Sequence, residues 1–236
     1  MKHLPRILAL LLALTSPTHG QFIVGTNVDS LAAVIPDNLL SGYQNTLVIN
    51  GVAGPIADVN LTLNISGGYN GDLYALLSHG TNAAILLNRV GRTSSSSAGY
   101  PDTGFGPTAG QIVFTLDDQA ASDVHAYRTF PYALNAAGQL TGRWQPDGRY
   151  IDPLASGGSF GTAARSRMLG VFNGSDCNGA WILFIADVAG GNESILNSWG
   201  LSITIVPEPS GALLLAAGLA TLLQQIRRRH RQTSQG

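Results

Sequence analysis

Among 236 residues there is one cysteine, one lysine and only 11% charged side chains. A lone Cys177 excludes any intramolecular disulfide, and its place in the polar run FNGSDCNG suggests an unreactive thiol in a loop. Histidine is equally sparse: between the two terminal segments only His79 and His125 occur, and His79 reads as an exposed turn residue. Metal-protease, phosphate-loop and dinucleotide fingerprints are absent, as is any contiguous EF-hand loop. Basic charge is scarce where it would matter. From 21 to 206 there are seven arginines and no lysine against thirteen acids, a balance of −6. Nucleic-acid binders use clustered Lys and Arg to neutralise phosphates, so this domain is not expected to bind nucleic acid.

One motif invites an enzymatic reading. GGSFG, 157–161, matches the nucleophile-elbow pattern. That pattern works where a strand delivers the serine to a sharp turn into a helix, with an acid and then a histidine later in the chain. Here IDPLAS is a poor strand, and His230 is the only later histidine. The stretch reads as a Gly/Ser loop and the domain as non-catalytic.

What is present is strand periodicity. In VNLTLNIS, Val59, Leu61, Leu63 and Ile65 alternate with Asn60, Thr62, Asn64 and Ser66, the period of a strand buried on one face. WGLSITI repeats this with Trp199, Leu201, Ile203 and Ile205, and QIVFTL with Ile112, Phe114 and Leu116. Further strands are expected at 46–50, 73–77, 83–87 and 181–185. Many short strands between Gly, Asn, Asp and Pro clusters, with no amphipathic helix in the domain, predict an all-β antiparallel sandwich. Trp181 and Trp199 are expected in its core. Two long segments, 92–110 and 121–170, are expected as loops forming a binding face, where Tyr100, Tyr127, Tyr132, Trp144 and Tyr150 are of the kind that stacks on sugars.

Several blocks in order resemble the P domain (P/Homo B) that accompanies subtilisin-like proprotein convertases. They are IPDN from Ile35, YNGDLYALLSHGT from Tyr69, FTLDDQA from Phe114, GRYIDPL from Gly148, LGVFNG from Leu169, NGAWILFIAD from Asn178 and SILNSWGLSI from Ser194. The resemblance spans 34–206, with 21–33 as a lead-in; it departs at SGGY before Asn70 and across 121–149. It implies a jelly-roll, galactose-binding-like sandwich. It also allows calcium, with Asp72, Asp117, Asp118 and Asp187 as candidate ligands because carboxylate oxygens suit that ion. No other cofactor is expected.

Both ends read as targeting segments. Lys2 and Arg6, an apolar stretch over 7–14 and small Gly20 make 1–20 a secretory signal peptide. The tail 207–236 resembles the PEP-CTERM sorting signal: Pro207-Glu208-Pro209, a hydrophobic helix over 211–226, and Arg227, Arg228, Arg229 and Arg231. That resemblance implies a membrane exosortase as partner, with cleavage near the Pro-Glu-Pro motif. Proline cannot continue a strand, which leaves Glu208 on an extended linker. Sixteen residues as a helix reach ~24 Å, against a hydrocarbon core of ~30 Å. The arginines are expected to stay cytoplasmic, with the helix in the inner membrane and the sandwich outside.

Together these readings predict an exported, non-catalytic surface or extracellular-matrix protein that binds polysaccharide or protein, membrane-anchored as a precursor. The alternative is an accessory domain for a separately encoded secreted subtilisin-like protease.

Overall fold

The computed structural model describes residues 22–107, 113–206, 218 and 221–225. The chain divides into two compact units, Gln21–Glu208 and a second made of Met1–Gly20 with Pro209–Gly236.

In the first unit the strands are β1 (Phe22–Val28), β2 (Ala33–Ile35), β3 (Tyr43–Ile49), β4 (Ile56–Gly67), β5 (Leu73–His79), β6 (Asn82–Asn88), β7 (Gly104–Phe105), β8 (Phe114–Leu116), β9 (Arg143–Trp144), β10 (Gly179–Asp187) and β11 (Ser194–Ile205). They form two sheets. The larger runs β1-β11-β4-β8-β9, with β2 sharing the β1 edge of β11 and β7 sharing the β8 edge of β4; the smaller runs β3-β10-β5-β6. All pairings are antiparallel except β8 with β9.

The alternation read from the sequence governs the larger sheet. Val59, Leu61, Leu63 and Ile65 of β4 and Trp199, Leu201, Ile203 and Ile205 of β11 are buried, while the intervening Asn60, Thr62 and Asn64 are half-exposed. From the smaller sheet Leu73, Ala75 and Leu77 of β5 and Trp181, Leu183 and Ile185 of β10 close the core. The two tryptophans also solve a polar problem. Each indole N–H, costly to bury unpaired, finds an oxygen: Trp199 donates across the sheets to Asn45 Oδ1 at 2.8 Å, and Trp181 to the Cys177 carbonyl at 2.9 Å.

Two expectations change. The lead-in 21–33 is part of the sandwich, because β1 pairs with β11 from Phe22↔Ile205 to Val28↔Trp199. FIVGTNV has Val24, Thr26 and Val28 half-buried and Ile23, Gly25 and Asn27 exposed, a weak alternation interrupted by Gly and Asn that is held by the free edge of its partner. The segment 121–170 is not loose loop either. It holds a single-turn helix, α1 (Gly157–Phe160), tight turns over Val124–Thr129, and β9, and it buries Tyr127, Leu140, Trp144 and Phe160.

Of the second unit the described residues, Gly218 and Thr221–Gln225, are helical, with Thr221 Oγ1 donating to the Gly218 carbonyl at 2.8 Å. Among the described residues no helix is long and apolar enough to cross a membrane. The signal peptide, Pro207-Glu208-Pro209, the four tail arginines, most of the expected 211–226 helix, and Ile112 lie outside the described residues.

Candidate functional site

The four candidate calcium ligands do not meet. Asp72, in the tight turn Asn70–Asp72 before β5, and Asp187, at the end of β10, are neighbours at one end of the smaller sheet, with Asp37 close by. Asp117 and Asp118 follow β8 and serve other partners. Asp117 binds the Arg143 guanidinium and the Gln119 N–H, and Asp118 accepts the Leu169 and Gly170 N–H groups at 2.9 and 2.6 Å. Asp72 is also served, by Arg89 at 3.3 Å. Among the described residues no three His, Cys, Asp or Glu side chains are grouped so as to hold a metal ion. Separation and prior pairing are therefore the reasons the set does not fit a shared calcium.

Asp187 is fully buried, and its Oδ2 has no hydrogen-bond partner. Burial, then the charges of Asp72 and Asp37, push its carboxyl up to about 6, against hydrogen bonds from Ala189 and Asn38 that pull the other way. Burial also raises Asp72, only partly offset by Arg89, and lowers the Arg89 guanidinium. This corner is costly to ionise, which fits a structural acid better than an open ligand.

A second polar cluster ties the long segment to the sandwich. His125 Nδ1 faces Asp147 Oδ2 at 2.6 Å, Arg149 bridges Asp147 and Asp123, and Arg165 reaches the Asp147 carbonyl at 3.0 Å. A His–Asp pair supplies two of the three members of a nucleophilic triad, but no nucleophile is bonded to the second ring nitrogen. His125 Nε2, the atom that would take a nucleophile's proton, faces the Arg92 carbonyl at 3.1 Å. Ser159 of GGSFG lies in α1, its hydroxyl 2.9 Å from that of Ser156, while the adjacent Phe160 stacks on the His125 ring. No strand enters this turn. His79 is not an exposed turn residue: it is buried, stacked on Trp181 at 4.1 Å, with both ring nitrogens on backbone carbonyls of Ala180 and Asp176. Cys177 is buried, and burial pushes its thiol up, away from the reactive thiolate.

The aromatic residues proposed for stacking divide in two. Tyr127 and Trp144 are core. Tyr127 bonds Asp102, whose carboxyl is opposed by burial but held below the usual range by hydrogen bonds from Arg128 and Tyr127. Tyr100 packs edge-on against Tyr127 at 4.7 Å and under Arg128. Tyr132 and Tyr150 remain outside, Tyr150 at 69% exposure.

The two sheets differ on their outer faces. The larger sheet shows water Asn60, Thr62, Asn64, Ser202 and Thr204. The smaller shows Tyr74, Leu76, Ile182 and Phe184, all half-exposed, with Val48 at 60% on its edge strand. Cross-strand register places Phe184 between Leu76 and Gln44, and Ile182 between Ser78 and Thr46. Tyr74 and Phe184 meet edge to face at 6.4 Å. Sequence reading passed over this face, yet a signal was present. β5 (LYALLSH) and β10 (GAWILFIAD) are continuous apolar runs, the pattern of strands with apolar residues on both faces.

No family model and no curated protein matches the sequence. Six solved chains are similar. Among them is the serine protease of Aeromonas sobria in complex with a chaperone, at 17% identity over 80% of this chain and 27% of that one, TM-score 0.40. The same organism's serine protease solved separately gives 16% identity, 82% and 28% coverage and a TM-score of 0.41. This chain thus spans about a quarter of the length of these two proteases, and a likeness of this extent carries no functional conclusion.

Proposed function

We propose that this chain is an exported, non-catalytic protein of the cell surface or extracellular matrix that works by binding, through the outer face of the smaller sheet. The observation that carries the reading is that face: Tyr74, Leu76, Ile182 and Phe184 stand half-exposed together where the opposite sheet is hydroxyl and amide. Side by side, such residues cost solvation unless something covers them. Export is supported by the sequence at both ends, since the compact unit Gln21–Glu208 lies between the signal-peptide pattern and the Pro-Glu-Pro tail. The jelly-roll winding belongs to the P-domain resemblance, as does the exosortase to the tail.

Phe184→Ser and Leu76→Ser, on the outer face, are expected to leave the fold intact and to lower binding of the purified protein to its own cells' matrix at least tenfold. Unchanged binding contradicts the assignment. The same apolar face favours one second reading, docking to a separately encoded secreted protease; recovery of such a protease by the wild type but not by Phe184→Ser supports that alternative.

A further inference from the structure

Tyr150 is the most exposed aromatic side chain among the described residues, at 69%, and its backbone is hydrogen-bonded to two neighbouring segments. Asn88, the last residue of β6, is fully buried and donates from its amide nitrogen to the carbonyls on either side of Tyr150, Arg149 at 3.2 Å and Ile151 at 3.0 Å. The Tyr150 N–H donates to the Ala164 carbonyl at 3.3 Å. Over one side of the ring lies the Arg167 guanidinium, 4.9 Å from the centroid. A side chain whose backbone is pinned on both sides by a buried amide has less freedom to lose when a ligand stacks on it, which is the economy of a preorganised anchor.

Of the seven arginines in this acidic domain, Arg89, Arg128, Arg143, Arg149 and Arg165 pair with aspartates, whereas Arg92 and Arg167 make no ion pair among the described residues; Arg92 lies over Phe160 and Arg167 over Tyr150. Asn88, which holds the Tyr150 loop, is the cross-strand partner of Tyr74, so the loop lies against the β6 edge of the smaller sheet's apolar face. On that face the apolar rows are interleaved with Gln44, Thr46 and Ser78, small donors and acceptors suited to hydroxyl groups. Asp152 is the nearby carboxylate, and it is engaged with the Leu154 N–H at 2.8 Å.

We infer that Tyr150, positioned by Asn88, and Arg167 form a subsite for an anionic saccharide, the ring stacking on a pyranose and the guanidinium taking a uronate carboxylate. Flat aromatic faces with interspersed hydroxyls and amides match a sugar chain lying on a sheet. Peptides more often take a sheet edge or a groove. The inference rests on the proposed binding reading and names its ligand class.

The test uses the full chain in detergent, with polygalacturonate and uncharged dextran of matched length as probes in affinity electrophoresis. Wild type is expected to bind polygalacturonate more tightly than dextran. Arg167→Gln removes that preference, with at least a tenfold loss on polygalacturonate and little change on dextran. Tyr150→Ala weakens both, and Tyr150→Trp restores them. Asn88→Ala weakens binding like Tyr150→Ala; both surface variants keep the test sound if the buried one does not fold. Equal binding of the two polymers, or no effect of Arg167→Gln, overturns the anionic assignment. If the protein binds native matrix but neither polymer, this inference fails and the binding reading stands; if it binds none of the three, both fail.

Discussion

Asp187 ties stability to pH. Its carboxyl is raised from 3.8 to about 6 by burial and by Asp72 and Asp37, so the folded state holds its proton where the unfolded chain has released it. Its contribution is therefore fully present below pH 3.8 and is lost as pH rises through about 6. Asp187→Asn, which supplies a neutral side chain of the same shape, is expected to raise the thermal midpoint at pH 7.5 and to flatten the slope between pH 4 and 6. A variant as pH-sensitive as wild type would show that the acid is not the source. Asp102 works in the opposite sense: Arg128 and Tyr127 favour its charged form against the cost of burial, and its support is lost only in acid. The site residues were unevenly legible for a related reason. Asp72 and Asp187 stand out in sequence, but the arginine that claims Asp72 comes from the bend just after β6, and no spacing announces that pairing.

Periodicity carries information only where a strand has one wet face. β4 and β11 alternate over 59–66 and 199–205, and their buried faces were readable there. β1 was not, because an edge strand takes its conformation from its neighbour. The fit there is close: a Cβ on Gly200 of β11 would lie 2.9 Å from the Thr26 carbonyl of β1. Gly200→Val is expected to cost about 1–3 kcal/mol through forced displacement. Amide exchange should then accelerate over 22–28 while the β10 amides stay protected; uniform acceleration would mean that β1 is integral to the whole core. The segment 121–170 defeated pattern reading differently. Its order comes from side-chain bonds over long separations, such as Gln139 Nε2 to the Ile65 carbonyl at 2.7 Å and Asn88 Nδ2 to the Ile151 carbonyl at 3.0 Å, and these leave no period in the sequence.

At the scale of the whole chain, the proposed function rests on asymmetry. One sheet face is polar and the other apolar, the domain is acidic while the tail is basic, and the segments that resemble targeting signals flank the sandwich. Among the described residues the His125–Asp147 pair meets the Arg92 carbonyl, and Ser159 bonds Ser156. The account therefore depends on the chain leaving the cell and losing its terminal segments. Mass spectrometry of the protein recovered from the surface of its native cells tests this most directly. The expected result is an N-terminus near Gln21 and no peptide beyond Ser210, with 211–236 found only in membrane-bound precursor. Surface protein that retains the Arg227–Arg231 region would contradict it.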